Sequence, residues 1–391
     1  MRARLLAAML CGLAVPSPSA GKESQPIGSP AAADYKPVGT DEQGLWLQFE
    51  ELERQIKTSK LLVKDTNANA YVRHILCRIV GDENCARVRL YIVRNPIPNA
   101  SMAPNGFMVI HTGMLLRVQD EAELAAVIGH EFGHFERRHS LARLKSLRNT
   151  ASWVNWITVL AIGAGSSVNV GPTLWASHFS YQRDHEREAD LDGLALIGRA
   201  GYRTACASEV WAHMREEEDA RAAALGVRTT KDAYRGPFST HPMDVERMTY
   251  LKAAADKVGA DNSYVGTSEL RVALSNIWPM LIEDQIKLND FGTSEFLLKN
   301  LAHDNWSGQL LYARGELYRF RGKAGDFEQA AAFYREATAK ADAPAGAWRG
   351  LGLALARTGD AVGAKTAIDE YLKHNPDASD KAMLSMIGGS R

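Results

Sequence analysis

Residues 130–134 read His-Glu-Phe-Gly-His. Two histidines four apart on a helix stand one above the other on the same face. Their neutral ring nitrogens then lie about where one Zn²⁺ needs them. Glu131 projects beside such a metal, where a carboxylate can take a proton from a bound water. The motif therefore demands a helix here, and other chain segments packed against it. The flanking residues meet the first demand. Asp120-Glu121-Ala122-Glu123 reads as a capped helix start, with Glu123 at the capping-box position. Leu124, Val127, Ile128 and Phe135 form an apolar stripe at helical spacing, and no proline interrupts the run to Arg148. Two ordinary histidines on a buried helix would spell the same five letters, so the rest of the chain must decide.

A catalytic zinc keeps three protein ligands and one open position. His139 follows the motif closely, but the pattern H-E-x-x-H-x-x-G-x-x-H needs a glycine at 137 and a histidine at 140, where this chain has Arg137 and Ser140. At about 100° per residue, a continuing helix turns His139 off the ligand face, so it reads as a surface histidine or a supporting one. The better third ligand is Glu186, within Arg183-Asp184-His185-Glu186-Arg187-Glu188-Ala189-Asp190. Asp190 shares its helix face and is placed to orient a ligating histidine through the other ring nitrogen. Glu188 lies off that face. An ordinary charged helix would explain this segment if the upstream motif were absent.

His130-Glu131-Phe132-Gly133-His134 followed by Glu186-Arg187-Glu188-Ala189-Asp190 resembles the gluzincin family of the CAAX prenyl protease and HtpX type, in its soluble, BepA-like branch. Two further segments carry the resemblance. Asn99 to Gly106, then Val109 to Leu116, is similar to the family's strand–turn–strand leading into the active-site helix. His241-Pro242-Met243-Asp244-Val245-Glu246-Arg247 is similar to its H-P-x-x-x-x-R segment. The match runs roughly from Leu45 to Leu251. The resemblance implies one Zn²⁺ per chain on His130, His134 and Glu186, with Glu131 as base and Asp190 bonded to a ligand. It brings His241 and Arg247 to the cleft as catalytic groups, either stabilising the transition state or, for His241, plugging the site. The charged stretch from Arg215 to Tyr234 reads as a mobile loop delivering His241.

The 46 acidic and 46 basic residues cancel, and no basic cluster carries interleaved aromatics, which argues against nucleic acid as a partner. Met1-Arg2-Ala3-Arg4, an apolar stretch to Val15 and small residues near Ala20 read as a cleaved signal peptide over 1–20, hence a periplasmic protein, with a flexible leader over 21–40. In such an oxidising compartment Cys77 and Cys85, separated by the turn residues Gly81-Asp82-Glu83-Asn84, are expected to form a disulfide, leaving Cys206 as a buried thiol. Ala151 to Ser177 contains no charged residue, but its apolar run is short of the ~20 residues a membrane span needs. It reads as a buried or interfacial helix, and Trp153 and Trp156 leave peripheral membrane contact open.

Toward the C-terminus, Trp348, Leu351, Gly352, Leu355, Ala364, Ile368, Tyr371 and Pro376 follow tetratricopeptide spacing. Ala330 lies one period earlier, with Gly325-Asp326 matching Gly359-Asp360. The expected fold is an α+β zincin-like metallopeptidase domain over 41–258, followed by an all-α tetratricopeptide-like helical repeat domain over 259–391. The expected function is a zinc endopeptidase of the cell envelope acting on misfolded or unassembled envelope proteins. Its partners would be polypeptide substrates and, through the repeats, outer-membrane assembly machinery. The substrate is expected to lie along an exposed edge strand at Met108, Val109, Ile110 and His111. The rival expectation is an assembly adaptor whose zinc site is largely shut.

Overall fold

The computed structural model describes residues 35–142, 183–228, 245–258 and 263–388. The segment 1–20, the Ala151 to Ser177 stretch and His241 lie outside the described residues. Helices dominate: α1 (Gly39–Thr58), α2 (Thr66–Val80) and α3 (Asp82–Arg87) precede strands β1 (Arg89–Val93), β2 (Ala100–Met102) and β3 (Phe107–His111). Then come α4 (Thr112–Arg117), α5 (Glu121–Glu136), α6 (Arg183–Arg199), α7 (Cys206–Leu225) and α8 (Val245–Val258). Eight further helices follow: α9 (Thr267–Leu274), α10 (Trp278–Lys287), α11 (Phe291–Ala302), α12 (Gly308–Arg321), α13 (Asp326–Thr338), α14 (Gly346–Thr358), α15 (Ala361–His374) and α16 (Lys381–Gly388). No helix among the described residues is long and apolar enough to cross a membrane.

The sheet has the order β1-β3-β2, with β1 parallel and β2 antiparallel to β3. Successive side chains of a strand point to opposite faces, and β3 is apolar on both. Phe107 and Val109 meet Leu45, Phe49, Leu52 and Ile56 of α1, which recur at helical spacing. Met108 and Ile110 enter the main core with Val72, Ile75 and Leu76 of α2 and Leu124 and Ile128 of α5. The sheet is therefore sandwiched between helices. This corrects the expectation for Met108–His111: they lie on the central strand, hydrogen-bonded to both neighbours and buried throughout. No backbone edge is left there for a substrate strand.

Two other expectations change. The charged stretch from Arg215 is not a loop up to Leu225, because it forms the end of α7. Alanines at 220 and 222–224 favour the helix, and Gly226, with φ +67°, ends it. The turn at 82–84 is the start of α3, so the Cys77–Cys85 disulfide joins two helices, with Cα atoms 4.8 Å apart. Cys206 is a buried free thiol.

The main apolar core crosses residue 258 without a break, running from Val63 to Leu317. Polar ties reinforce it. Arg94 makes a two-pronged bond to Asp284 of α10 at 2.6 and 2.7 Å. Arg117 of α4 bonds Glu217 of α7 at 2.7 Å and Gln285 of α10 at 3.0 Å. A second core gathers Ala330, Tyr334, Leu351, Ala354, Ala364 and Ala367 from α13, α14 and α15. Tyr334 is wedged between two glycines: a Cβ on Gly315 or Gly350 would come within 2.5 Å of its ring. Gly325 and Gly359 both take left-handed conformations, φ +82° and +89°, where one helix hands over to the next.

Candidate active site

The site begins at the first turn of α5. Asp120 caps the helix, its Oδ1 accepting from the Glu123 amide at 2.8 Å, while Glu123 Oε2 accepts from the Gln119 amide at 2.8 Å. Glu121, buried beside them, accepts hydrogen bonds from the hydroxyls of Tyr71 and Tyr202 and from Arg78 at 3.3 Å. A carboxylate there complements the positive end of the helix dipole. The helix start is thereby anchored to α2 and to the residues following α6.

Helices α5 and α6 run antiparallel in close contact, with Gly129 against Gly193 and Gly133 against Ala189. A Cβ on Gly193 would lie 2.8 Å from the His130 amide nitrogen and 3.0 Å from the Gly129 carbonyl carbon. Those are backbone atoms and cannot swing aside. Gly193→Ala is expected to cost about 1–3 kcal/mol, as overpacking does, and to weaken metal binding by separating the ligand-bearing helices. Urea unfolding and metal titration of the variant check both effects, and unchanged values in both would refute the argument.

The close approach brings His130 and His134 of α5 against Glu186 of α6, all three buried. His130 Nε2 and His134 Nε2 are 3.1 Å apart. Glu186 Oε1 lies 3.4 Å from His134 Nε2, and its Oε2 lies 3.6 Å from His130 Nε2. Ligand atoms held about 2.0–2.2 Å from a tetrahedral ion stand roughly 3.3–3.6 Å apart. The two ring nitrogens and the Glu186 carboxylate thus converge at separations close to those around a tetrahedral zinc. Glu131, next to His130, is also buried.

Behind the ligands is a charged layer. Asp190 Oδ1 lies 2.8 Å from His130 Nδ1. Arg247, from α8, donates to both Asp190 oxygens at 2.6 and 2.7 Å, and its Nη1 lies 3.0 Å from Glu186 Oε2. Tyr250, one turn further along α8, donates to Asp190 Oδ2 at 2.5 Å. Burial opposes ionisation of Asp190, but the Arg247 guanidinium and His130 outweigh it and hold the carboxyl well below its usual range. Trp211 of α7 floors the layer, with Arg247 Cζ 4.2 Å above its ring and His130 at its edge.

The structure brings together His130, Glu131, His134, Glu186, Asp190 and Arg247. Arg247, expected as a catalytic group, is engaged by the carboxylates of Asp190 and Glu186. Sequence reasoning missed Trp211 and Tyr250. Tyr250 had a signal, since it sits three positions after Arg247 on one helix face; Trp211 had none. His139 is also better placed than expected. The helix is not continuous past Glu136: α5 stops there, Arg138 takes φ +55°, and helix resumes at 139, with residues from 143 outside the described ones. The reversal buries His139 with its Nδ1 2.9 Å from His134 Nδ1 and its Nε2 3.0 Å from Glu188 Oε2. Its ring stacks on His185 at 4.2 Å. Burial, then the neighbouring His185, push its pKa down to about 4.

A family model described as peptidase family M48 matches residues 64–255, a stretch containing every residue of this cluster. The chain is 28% identical over 225 residues to the mitochondrial metalloendopeptidase OMA1 of Schizosaccharomyces pombe, covering 54% of this chain and 58% of that protein. It is 28% identical over 219 residues to the beta-barrel assembly-enhancing protease of Yersinia pestis, covering 51% and 44%. For the Escherichia coli K12 protein of the same name, the identity is 24% over 212 residues, covering 51% and 42%. The chain spans about half the length of the curated relatives it matches.

Proposed function

Residues 64–255 of this chain belong to peptidase family M48, and on that premise we propose that the protein is a zinc-dependent endopeptidase. The observation that carries the reading is the buried convergence of His130, His134 and Glu186, with Glu131 on the same helix as the histidines. Purified protein is expected to hold about one zinc per chain, and Glu186→Ala to lose it. Metal analysis of the two proteins checks this; a variant that keeps full zinc would remove Glu186 from the ligand set.

When bound, zinc polarises the scissile carbonyl and acidifies the attacking water. Glu131 takes that water's proton on its carboxylate and passes it to the leaving amine nitrogen. Asp190 accepts a hydrogen bond from His130 Nδ1, which keeps the ring proton there and leaves the Nε2 lone pair for the metal. Arg247 balances the charge of Glu186 and Asp190 and holds both carboxylates in place. His241, six positions before Arg247 in sequence and outside the described residues, is proposed to take part in the reaction on the strength of the H-P-x-x-x-x-R resemblance alone.

The substrate is an extended polypeptide. With β3 enclosed, the edge next to α5 is β2, which among the described residues pairs with β3 alone. A peptide adding to β2 would exchange main-chain hydrogen bonds there. The substrate class is misfolded or unassembled envelope proteins, and the names of the assembly-enhancing relatives support it. The compartment is the periplasm, which agrees with the Cys77–Cys85 disulfide. Helices α9–α16 act as a tetratricopeptide-like docking module over 259–391 for substrates or assembly partners. The groove lined by Ile282, Ile286, Tyr312, Ala313 and Phe320 supports that role.

A further inference from the structure

We propose that His139, held by Glu188, is a positioning residue that fixes the ring tautomer of His134 so that its Nε2 lone pair faces the metal. The proposal rests on the metal-centre reading above and adds the device that prepares the second ligand.

The argument is an accounting of protons. A carboxylate only accepts, so at 3.0 Å from Glu188 Oε2 the His139 Nε2 must carry the hydrogen. In a neutral imidazole the other nitrogen is then bare. His139 Nδ1 therefore accepts, and its partner at 2.9 Å, His134 Nδ1, donates. With its proton on Nδ1, His134 presents an unprotonated Nε2 toward His130 Nε2 and Glu186 Oε1. Reversing any one proton in the chain Glu188–His139–His134 would put hydrogen on the nitrogen that must bind metal. His130 is set differently, by the charged Asp190 acting directly on its Nδ1. The two histidine ligands are thus prepared by different devices, one by an anion and one through a second imidazole.

The backbone is shaped for this contact. A continuous helix would carry His139 away from His134. The left-handed Arg138, φ +55°, returns it, and the Arg138 guanidinium lies 4.1 Å from the Tyr35 ring centroid, which helps hold the turn. Stacking on His185, with the ring planes 14° apart, fixes the plane of the His139 ring.

The test is zinc affinity, measured on the full chain by competition with a chromophoric chelator. His139→Leu removes the acceptor and is expected to weaken zinc binding about 10–100-fold, as loss of a ligand's supporting partner does. His139→Asn puts its Oδ1 near the position of Nδ1, can still accept from His134, and is expected to stay close to wild type. A packing role predicts the reverse order, since Leu fills apolar space and Asn does not. Unfolding midpoints of the metal-free proteins separate a binding loss from a folding loss. Glu188→Ala, at a half-exposed position outside the core, is expected to weaken zinc in the same direction by a smaller factor. The proposal is overturned if His139→Leu and Glu188→Ala both bind zinc like wild type, or if Asn binds no better than Leu. Wild-type protein that binds no zinc would overturn the metal-centre reading itself, and this proposal with it.

Discussion

Glu131→Gln is expected to leave the fold and the metal in place while lowering peptide hydrolysis by about 10²–10⁴, the range for loss of a general base. The amide matches the carboxylate in size, so the packing around this buried position is kept. Glu131 is not among the three residues of the metal-binding cluster, so zinc content should not change. Only basicity is removed. Three measurements on one preparation check this: zinc per chain, thermal unfolding midpoint, and cleavage of an unfolded substrate such as casein. Cleavage near the wild-type rate would sink the assignment of Glu131. Loss of zinc together with activity would instead make it a ligand.

Arg247→Ala should produce the largest structural effect of any single change in the site. Asp190 and Glu186 are buried, and Arg247 is their shared counter-ion. Removing one member of a buried ion pair costs about 3–5 kcal/mol, because the remaining charge is stranded without water. Here two carboxylates would be stranded. Arg247→Lys should recover little of the loss, since one ammonium cannot reproduce the planar fork that meets both Asp190 oxygens. Asp190→Asn added to Arg247→Ala should recover part of it by removing one uncompensated charge. Urea unfolding of the metal-free proteins measures all three. Arg247→Ala as stable as wild type would mean that the layer is hydrated rather than dry.

How far the sequence foretold this site depended on how local each feature is. His130, Glu131, His134, Glu186 and Asp190 were legible because each pair lies within one or two turns of a helix, where spacing alone fixes the face. The capped start of α5 was legible for the same reason. The place of β3 was not: an apolar strand reads alike at the edge or the centre, and its central position follows from pairing with β1, from a segment well upstream. His139 was placed off the ligand face by extending a regular helix. The chain leaves that helix at Arg138, in a conformation that local propensity disfavours for arginine and tertiary contacts sustain. Trp211 was silent, because nothing in its neighbourhood distinguishes it from any core tryptophan.

The contact between Arg247 and His130 joins residues 117 positions apart, and that distance has a meaning in time. At about 5–20 residues per second of synthesis, Arg247 appears roughly 6–23 s after the histidine it supports. Until then the first histidine pair faces neither Glu186 with its charge balanced nor a closed charged layer. A nascent chain of this kind carries the hydrolytic motif early and the means to use it late. The histidine pair is thus made well before the counter-ion that balances the carboxylates around it, and the site cannot close until α8 has been added.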